Sequence, residues 1–438
     1  MKQTINVGVV CLVRKTFDWQ AALELYREIR QDLAGVENVN WEFIQQPLIE
    51  AEDARRAASH LAGMDLDGLV CISGTFHLGH LVLELARAVA RPLLLWGLPE
   101  LPYDGGKIRL NSVCGVNLDA SNLYKGGYNT CHVNIGKSID EDWLDSLRIN
   151  RALARTRLGL VGGPAHGFFN LGADLLNLWQ QMGVLVDQYQ LSEIFEQPVA
   201  PEEVQEFRSQ LQAAFAVDDI SEEQLSQTAL LCAKLAAFND SRGLSALAIR
   251  CWPEFARDFG IAPCAAISLL QSQGRIIACE GDVEGALSMI AQRAMGAATP
   301  FLADLSQVDL QQDFALLWHC GVAPCNLADG SCRCSLDSYH AGGQGVTADF
   351  VLSPGRLSLL RMDSVGREIR LFLGQGEAVA MDKELKGTYA KAVFPGGVQA
   401  LLETLTGNGV AHHISVVYGD YIRPLELLAK AKGWRVLK

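Results

Sequence analysis

Several things are missing from this 438-residue chain, and each absence removes a class of function. No uninterrupted apolar stretch reaches the roughly 18 residues that cross a bilayer, so no membrane partner is expected. No run of Lys or Arg gathers positive charge: 37 basic residues stand against 50 acidic ones, and no nucleic acid is expected as a partner. Internal repeats and low-complexity segments are absent, and the composition, 49% hydrophobic and 20% charged, excludes disordered, collagenous and coiled-coil classes. The apolar stretch 5–13 is too short for a secretory signal and lacks a cleavage-site pattern; it reads as a first strand. Cysteine, by contrast, is plentiful. Most of the twelve lie in apolar runs (VVCLV, LVCIS, LLCAK, IIACE), where they behave as small buried hydrophobes, so reduced thiols and a cytoplasmic location are expected.

The length predicts about three domains. Residues 1–150 alternate apolar strands with amphipathic helices, the pattern of a parallel sheet covered on both faces. Such sheets bind ligands at the carboxyl ends of their strands, which singles out the loops at 14–16, at 73–77 and after Trp96. A second α/β part is expected over 151–330, beginning with the strand LGLVGG and closing with PFLADLSQV and DFALLWHCG. From 331 to 438 the pattern turns to meandering strands, a β-rich third domain.

The most informative stretch is Cys279-Glu280-Gly281-Asp282, where an apolar strand ends in two carboxylates at the mouth of a predicted helix. Twenty-four residues beyond Glu280, PFLAD ends in Asp304. If both strands belong to one parallel sheet, their ends share an edge and the two carboxylates converge. Two carboxylates with a histidine suit Mn2+ or Mg2+, hard cations that take oxygen ligands and tolerate imidazole. The plainer alternative is that these acids are helix N-caps. Histidine candidates are His319 (LLWHCG) and the pair His412-His413 (AHHISVVYGD); a histidine beside an apolar run is otherwise a packed core residue.

The segments CEGDVEGALSMI, PFLADLS, LWHCG and AHHISVVYGDY resemble, in order and spacing, the L-fucose and L-arabinose isomerase superfamily. The fucose-type pattern fits best: it implies Glu280, Asp304 and His413 as metal ligands, whereas the arabinose-type second carboxylate would fall on Ala303. His319 resembles a middle histidine ligand of the arabinose enzymes that the fucose type does without. The resemblance implies two Rossmann-like doubly wound domains followed by an antiparallel, barrel-like domain. It implies an aldose–ketose isomerase using Mn2+, Mg2+ or Co2+ and working through an enediol. Glu280 and Asp304 would move the proton, and His412 and His319 would contact the sugar. It further implies a homo-oligomer, a hexamer, in which Arg14, Thr75, Phe76 and His77 reach a neighbouring subunit's site. Should the sugar carry an anionic group, Arg14 or Lys15 could hold it. Trp252 and Trp434 could stack on sugar faces.

Three other readings compete. Gly159, Gly162, Gly163 and Gly167 with Asp187 mimic a nicotinamide-dinucleotide fingerprint of a sugar oxidoreductase, but the G-x-G-x-x-G spacing is absent. Cys320, Cys325, Cys332 and Cys334 crowd together in spacings that match neither a zinc ribbon nor a ferredoxin run. A non-catalytic sugar-binding protein built of Rossmann-like domains is the third; the EGD, AD and HH segments speak against it.

Overall fold

The computed structural model describes residues 2–128, 131–340 and 344–438, and divides the chain into two compact units. One comprises Lys2–Arg151 with Arg423–Gly433; the other comprises Ala152–Ile422 with Trp434–Lys438.

The first unit holds a five-stranded parallel sheet: β1 (Ile5–Leu12), β2 (Val39–Phe43), β3 (Gly68–Ser73), β4 (Leu93–Gly97) and β5 (His132–Ile135), in the order β2-β1-β3-β4-β5. The near-continuous apolar runs of β1, β3 and β4 are buried on both faces. One face packs against the helix Trp19–Ala34 through Tyr26, Ile29 and Leu33 and against Trp143, Leu144 and Leu147. The other meets the helices Ala51–Ala62 and His80–Val89 through Ala54, Leu61, Leu81 and Leu85. The strand order reverses between β1 and β3, so the loops following these two strands flank the switch point where such sheets accept ligands.

The second unit repeats the parallel theme on a smaller scale. β6 (Arg157–Val161), β7 (Leu185–Tyr189), β8 (Ala246–Ile249) and β9 (Ile277–Ala278) form a sheet in the order β7-β6-β8-β9. Then the chain changes architecture. β10 (Phe301–Asp309), β11 (Phe314–His319), β12 (Ser335–His340), β13 (Gly345–Val351), β14 (Gly355–Val365), β15 (Glu368–Val379), β16 (Thr388–Val393), β17 (His413–Tyr418) and β18 (Arg435–Leu437) make one sheet. Within it β16, β11, β10, β17, β14 and β15 are joined edge to edge by antiparallel pairs, and the β15–β16 pairing closes them into a six-stranded barrel. The expected fold class, two doubly wound parallel sheets followed by an antiparallel barrel, is the one found.

One expectation is corrected. β10 and β11, read from sequence as the close of the central α/β part, are barrel strands: Asp304 pairs with Trp318 of β11 and with His413 of β17. The supposed shared edge of a parallel sheet therefore does not exist, because β9 and β10 lie in different sheets. What joins the sheets is the helix Val283–Ala294. Its faces are buried almost all round, between β8 and β9 on one side and the barrel strands β14 and β17 on the other. Gln292 donates to the carbonyls of Ser358 and Ser415, and the Ser288 hydroxyl accepts the Met362 amide, so the helix's buried polar groups are satisfied by the barrel. A single apolar core runs from Val161, Leu247 and Ile277 of the sheet to Phe301, Leu317, Leu359 and Val416 of the barrel.

Candidate functional site

In the small parallel sheet the strand order reverses between β6 and β8, and the loops after β6, β8 and β9 converge there. The loop after β9 carries Glu280. Its backbone is left-handed (φ 63°), as is that of Gly281 (φ 73°). A non-glycine residue in this region is strained by about 1–3 kcal/mol, and here the strain turns the Glu280 side chain away from the course of the strand. Gly281 has no alternative, since a Cβ would lie 2.3 Å from the Gly163 carbonyl oxygen. The loop after β6 clasps the same turn: the Ala165 amide donates to the Glu280 carbonyl at 2.8 Å. Two of the glycines of LGLVGG serve close packing. Gly159 lies against Leu244 and Leu247 and Gly162 against Leu191, whereas Gly163 has open space at its Cβ position and is set apart by its left-handed backbone (φ 76°).

Around Glu280 the side chains form a ring of donors and carboxylates. Trp252 donates its indole N–H to Oε1 at 3.3 Å. His412 Nε2 lies 3.3 Å from Oε2, and His413 Nε2 lies 3.4 Å from the same oxygen. His413 Nε2 is also 3.7 Å from Asp304 Oδ1. This neighbourhood follows from the barrel register, which sets Asp304 directly opposite His413 on adjacent strands, where side chains share a face. Asn170 reaches His412 Nδ1 at 3.0 Å, and Phe168 packs edge-on against both Trp252 and His412.

Beneath this ring sits a buried ionic group. Asp282 caps the helix Val283–Ala294 by accepting the Gly285 amide at 2.8 Å. Its carboxylate also lies 2.5 Å from the fully buried Arg361 and 2.9 Å from His413 Nδ1. Burial opposes the charge on Asp282, but the Arg361 guanidinium and His413 outweigh it and hold the acid well below the usual carboxylate range. With an ionised carboxylate at Nδ1, the His413 ring carries its hydrogen there and turns the Nε2 lone pair towards Glu280 and Asp304. Glu280 shows the same balance: burial works against ionisation, while the hydrogen bond from His412 and the nearby His413 keep its pKa below the ordinary value. On His412 burial opposes protonation, but the Glu280 hydrogen bond outweighs it and raises the pKa.

The oxygen and nitrogen atoms of Glu280, His412 and His413, and those of Asp304, His319 and His413, fall into two overlapping groups with members within 4.8 Å of one another. Carboxylates with imidazole are the donor set of a hard divalent cation. Asp304 Oδ1 is buried without a hydrogen-bond partner, as an oxygen awaiting a cation would be. Glu280 and Asp304, with Trp252, Trp318, His319, Cys251, Cys264, Cys320 and Arg257, line a cavity of about 820 Å³, ample for an open-chain hexose.

Of the residues singled out from sequence, Glu280, Asp304 and His319 therefore line one cavity, His413 is buried against the two carboxylates, and His412 lies beside Glu280. Trp252 contributes an indole donor, whereas Trp434 is buried in the core. Arg14, Thr75, Phe76 and His77 belong to the other unit. There the Arg14 amide donates to Thr75 Oγ1 at 2.8 Å across the β1–β3 switch point, Phe76 packs edge-on to Phe17, and His77 is wholly buried against Asp119 at 2.9 Å. Residues not foreseen are Arg361, Asn170 and Phe168; the buried role of Asp282 was hidden behind its capping role. Arg361 had one signal, a basic residue set between the apolar Leu359-Leu360 and Met362 of a strand. All twelve cysteines are free thiols, and no cysteine enters a metal-ligand group among the described residues. Cys320 lies 3.5 Å from Cys264, a residue outside the crowded stretch 320–334.

No known family profile matches the chain. Among characterised proteins it is similar to a sulfoquinovose isomerase of Priestia megaterium, 27% identical over 428 residues that cover 95% of each chain. It is likewise similar to a sulfoquinovose isomerase of Alkalicoccus urumqiensis, 26% identical with 97% of each chain covered. A sulfoquinovose isomerase from a Clostridium species is 26% identical over 361 residues, 79% of this chain and 80% of that one.

Proposed function

We propose that this chain, an aldose–ketose isomerase, acts on an open-chain sugar bearing an anionic group, a sulfonated aldohexose of the sulfoquinovose kind, with a divalent cation held by Glu280, Asp304 and His413. The observation that carries the reading is that Glu280 and Asp304 line one cavity with His413 buried between them, its ring oriented by a buried carboxylate. Mn2+ suits the donors best, with Mg2+ or Co2+ as substitutes. When bound, such a cation polarises the sugar's carbonyl and adjacent hydroxyl oxygens.

The chain's own side chains then move the protons. Glu280, kept ionised by the histidines, and Asp304 stand as the acid–base pair. One carboxylate takes the hydrogen at C2 as a proton. The electron pair left behind forms the C1=C2 bond of an enediol while the carbonyl oxygen gains a proton. Return of a proton to C1 and loss of the O2 proton complete the ketose, so no electron leaves the sugar. His412 Nε2 holds Glu280 in place and faces the sugar hydroxyls. The sugar's anionic end must stand away from the two carboxylates. Arg257 lines the cavity, and Arg14 and Lys15 are the basic residues expected from a neighbouring subunit of a homo-oligomer, a hexamer, together with Thr75, Phe76 and His77. The twelve free thiols suit a reducing cytoplasm.

The reading is tested by offering sulfonated and neutral aldoses to the purified protein with Mn2+. The wild type is expected to turn over the sulfonated sugar, and Glu280→Gln to lose about three orders of magnitude in kcat. Absence of ketose from every aldose, or a Glu280→Gln variant as active as wild type, overturns it. Arg14→Ala should raise KM for the anionic sugar only; equal loss on neutral and anionic sugars removes Arg14 from that role.

A further inference from the structure

The two buried histidines beside Glu280 and Asp304 are wired in opposite senses. His413 points Nδ1 at a carboxylate, so that nitrogen carries the hydrogen and Nε2 offers a lone pair to the site. His319 points Nδ1 at a donor instead: the backbone N–H of Cys320 donates to it at 2.9 Å. A backbone N–H can only donate, so Nδ1 holds the lone pair and the ring hydrogen of the neutral imidazole sits on Nε2. The Cys320 thiol, 3.2 Å from the same nitrogen, is the other group there. The ring is held in this sense. His319 ends β11 opposite Thr388, its carbonyl accepts the Gly321 amide at 2.7 Å, and its ring lies nearly parallel to that of Trp318. A half-turn of the ring would break the Cys320 bond.

Nε2 of His319 is buried and has no hydrogen-bond partner, and the residue lines the cavity that holds Glu280 and Asp304. We propose that His319 donates a hydrogen bond from Nε2 to a reacting oxygen of the open-chain sugar, and is not a ligand of the cation. This deepens the isomerase reading and rests on it. An enediol develops negative charge on its oxygens, and a carboxylate facing the cavity can only accept hydrogen bonds while it is ionised. The indole N–H groups lining the cavity are engaged elsewhere, that of Trp252 by Glu280 and that of Trp318 by the Lys386 carbonyl. His319 is thus a buried donor already in place for the oxyanion, with its orientation set by the main chain.

The test separates donor from ligand by Mn2+ affinity, kinetics and ring protonation. In His319→Leu, kcat should fall about a hundredfold while the Kd for Mn2+ stays within about threefold of wild type, because the ligands are untouched. His319→Gln, which can present an amide N–H near the Nε2 position, should recover part of kcat, and it also serves should the Leu variant fail to fold. Long-range 1H–15N spectra of the metal-free and Mg2+-loaded protein should place the His319 hydrogen on Nε2. A rise of tenfold or more in the Mn2+ Kd of either variant, or a hydrogen on Nδ1, overturns the donor role while leaving the isomerase reading standing. A wild type that binds no Mn2+ and converts no aldose overturns both.

Discussion

Asp282, fully buried, divides its carboxylate among Arg361, His413 and the Gly285 amide, and this one side chain ties the stability of the fold to the orientation of the imidazole proposed as a cation ligand. Removing one partner of a buried ion pair leaves an uncompensated charge. Arg361→Met should therefore destabilise the protein by about 3–5 kcal/mol in urea unfolding, and a loss below about 1 kcal/mol would contradict the pairing. Asp282→Asn keeps the cap but weakens the hold on His413 Nδ1, and should weaken Mn2+ binding about 10- to 100-fold in direct titration. Glu284, in the first turn of the same helix, behaves differently. Burial pushes its pKa up to about 7 despite Arg361 at 3.7 Å and the Ser364 hydroxyl. Because the folded-state value lies above the unfolded one, its contribution is fully present below about pH 4.5 and is lost as pH rises through about 7. Glu284→Gln should thus gain stability relative to wild type between about pH 5 and pH 8, by up to about 3 kcal/mol. A stability difference that stays flat with pH would show Glu284 ionised throughout.

The turn after β9 is the element on which the site depends most closely. Two successive left-handed residues, Glu280 and Gly281, lead straight into a helix whose N-cap is Asp282. At Gly281 the positive φ and the 2.3 Å approach to the Gly163 oxygen act together, so Gly281→Ala must shift the loop after β6 as well as its own. We expect it to lose about 2–4 kcal/mol of thermal stability and to abolish Mn2+ binding, measured by calorimetry on the same preparation. A variant that binds Mn2+ normally would show that the turn does not set the carboxylate's position. The strain is supported by the helix that follows, almost every residue of which is buried between sheet and barrel.

In the whole of the second unit, one core runs through both the parallel sheet and the barrel, and the site lies where they join. A cation bridging Glu280 and Asp304 would link a sheet loop to a barrel strand and so stabilise the unit as a whole. Chelator should abolish turnover and lower the melting temperature, and Mn2+ at a hundred times its Kd should restore about 2.7 kcal/mol of stability. A melting temperature indifferent to chelator and Mn2+ would argue that no cation spans the two sheets.

How much of this was legible in the chain depends on the range of the interaction. Apolar strand runs such as INVGVVCL and the alternation with amphipathic helices determined two parallel α/β layers, because period and burial are local properties. The segment CEGD, the spacing to Asp304 and the HH pair likewise determined which side chains to watch. The reason they meet was not legible. β9 is only two residues long and β10 leaves for the barrel, and the meeting depends on contacts between distant parts of the chain, here Asp304 with its strand partner His413 and Asp282 with Arg361, 79 residues on. The sense of each histidine was beyond the sequence for the same reason. A ring's lone pair is assigned by what stands at its other nitrogen, a carboxylate for His413 and a backbone N–H for His319, and only the folded chain puts them there.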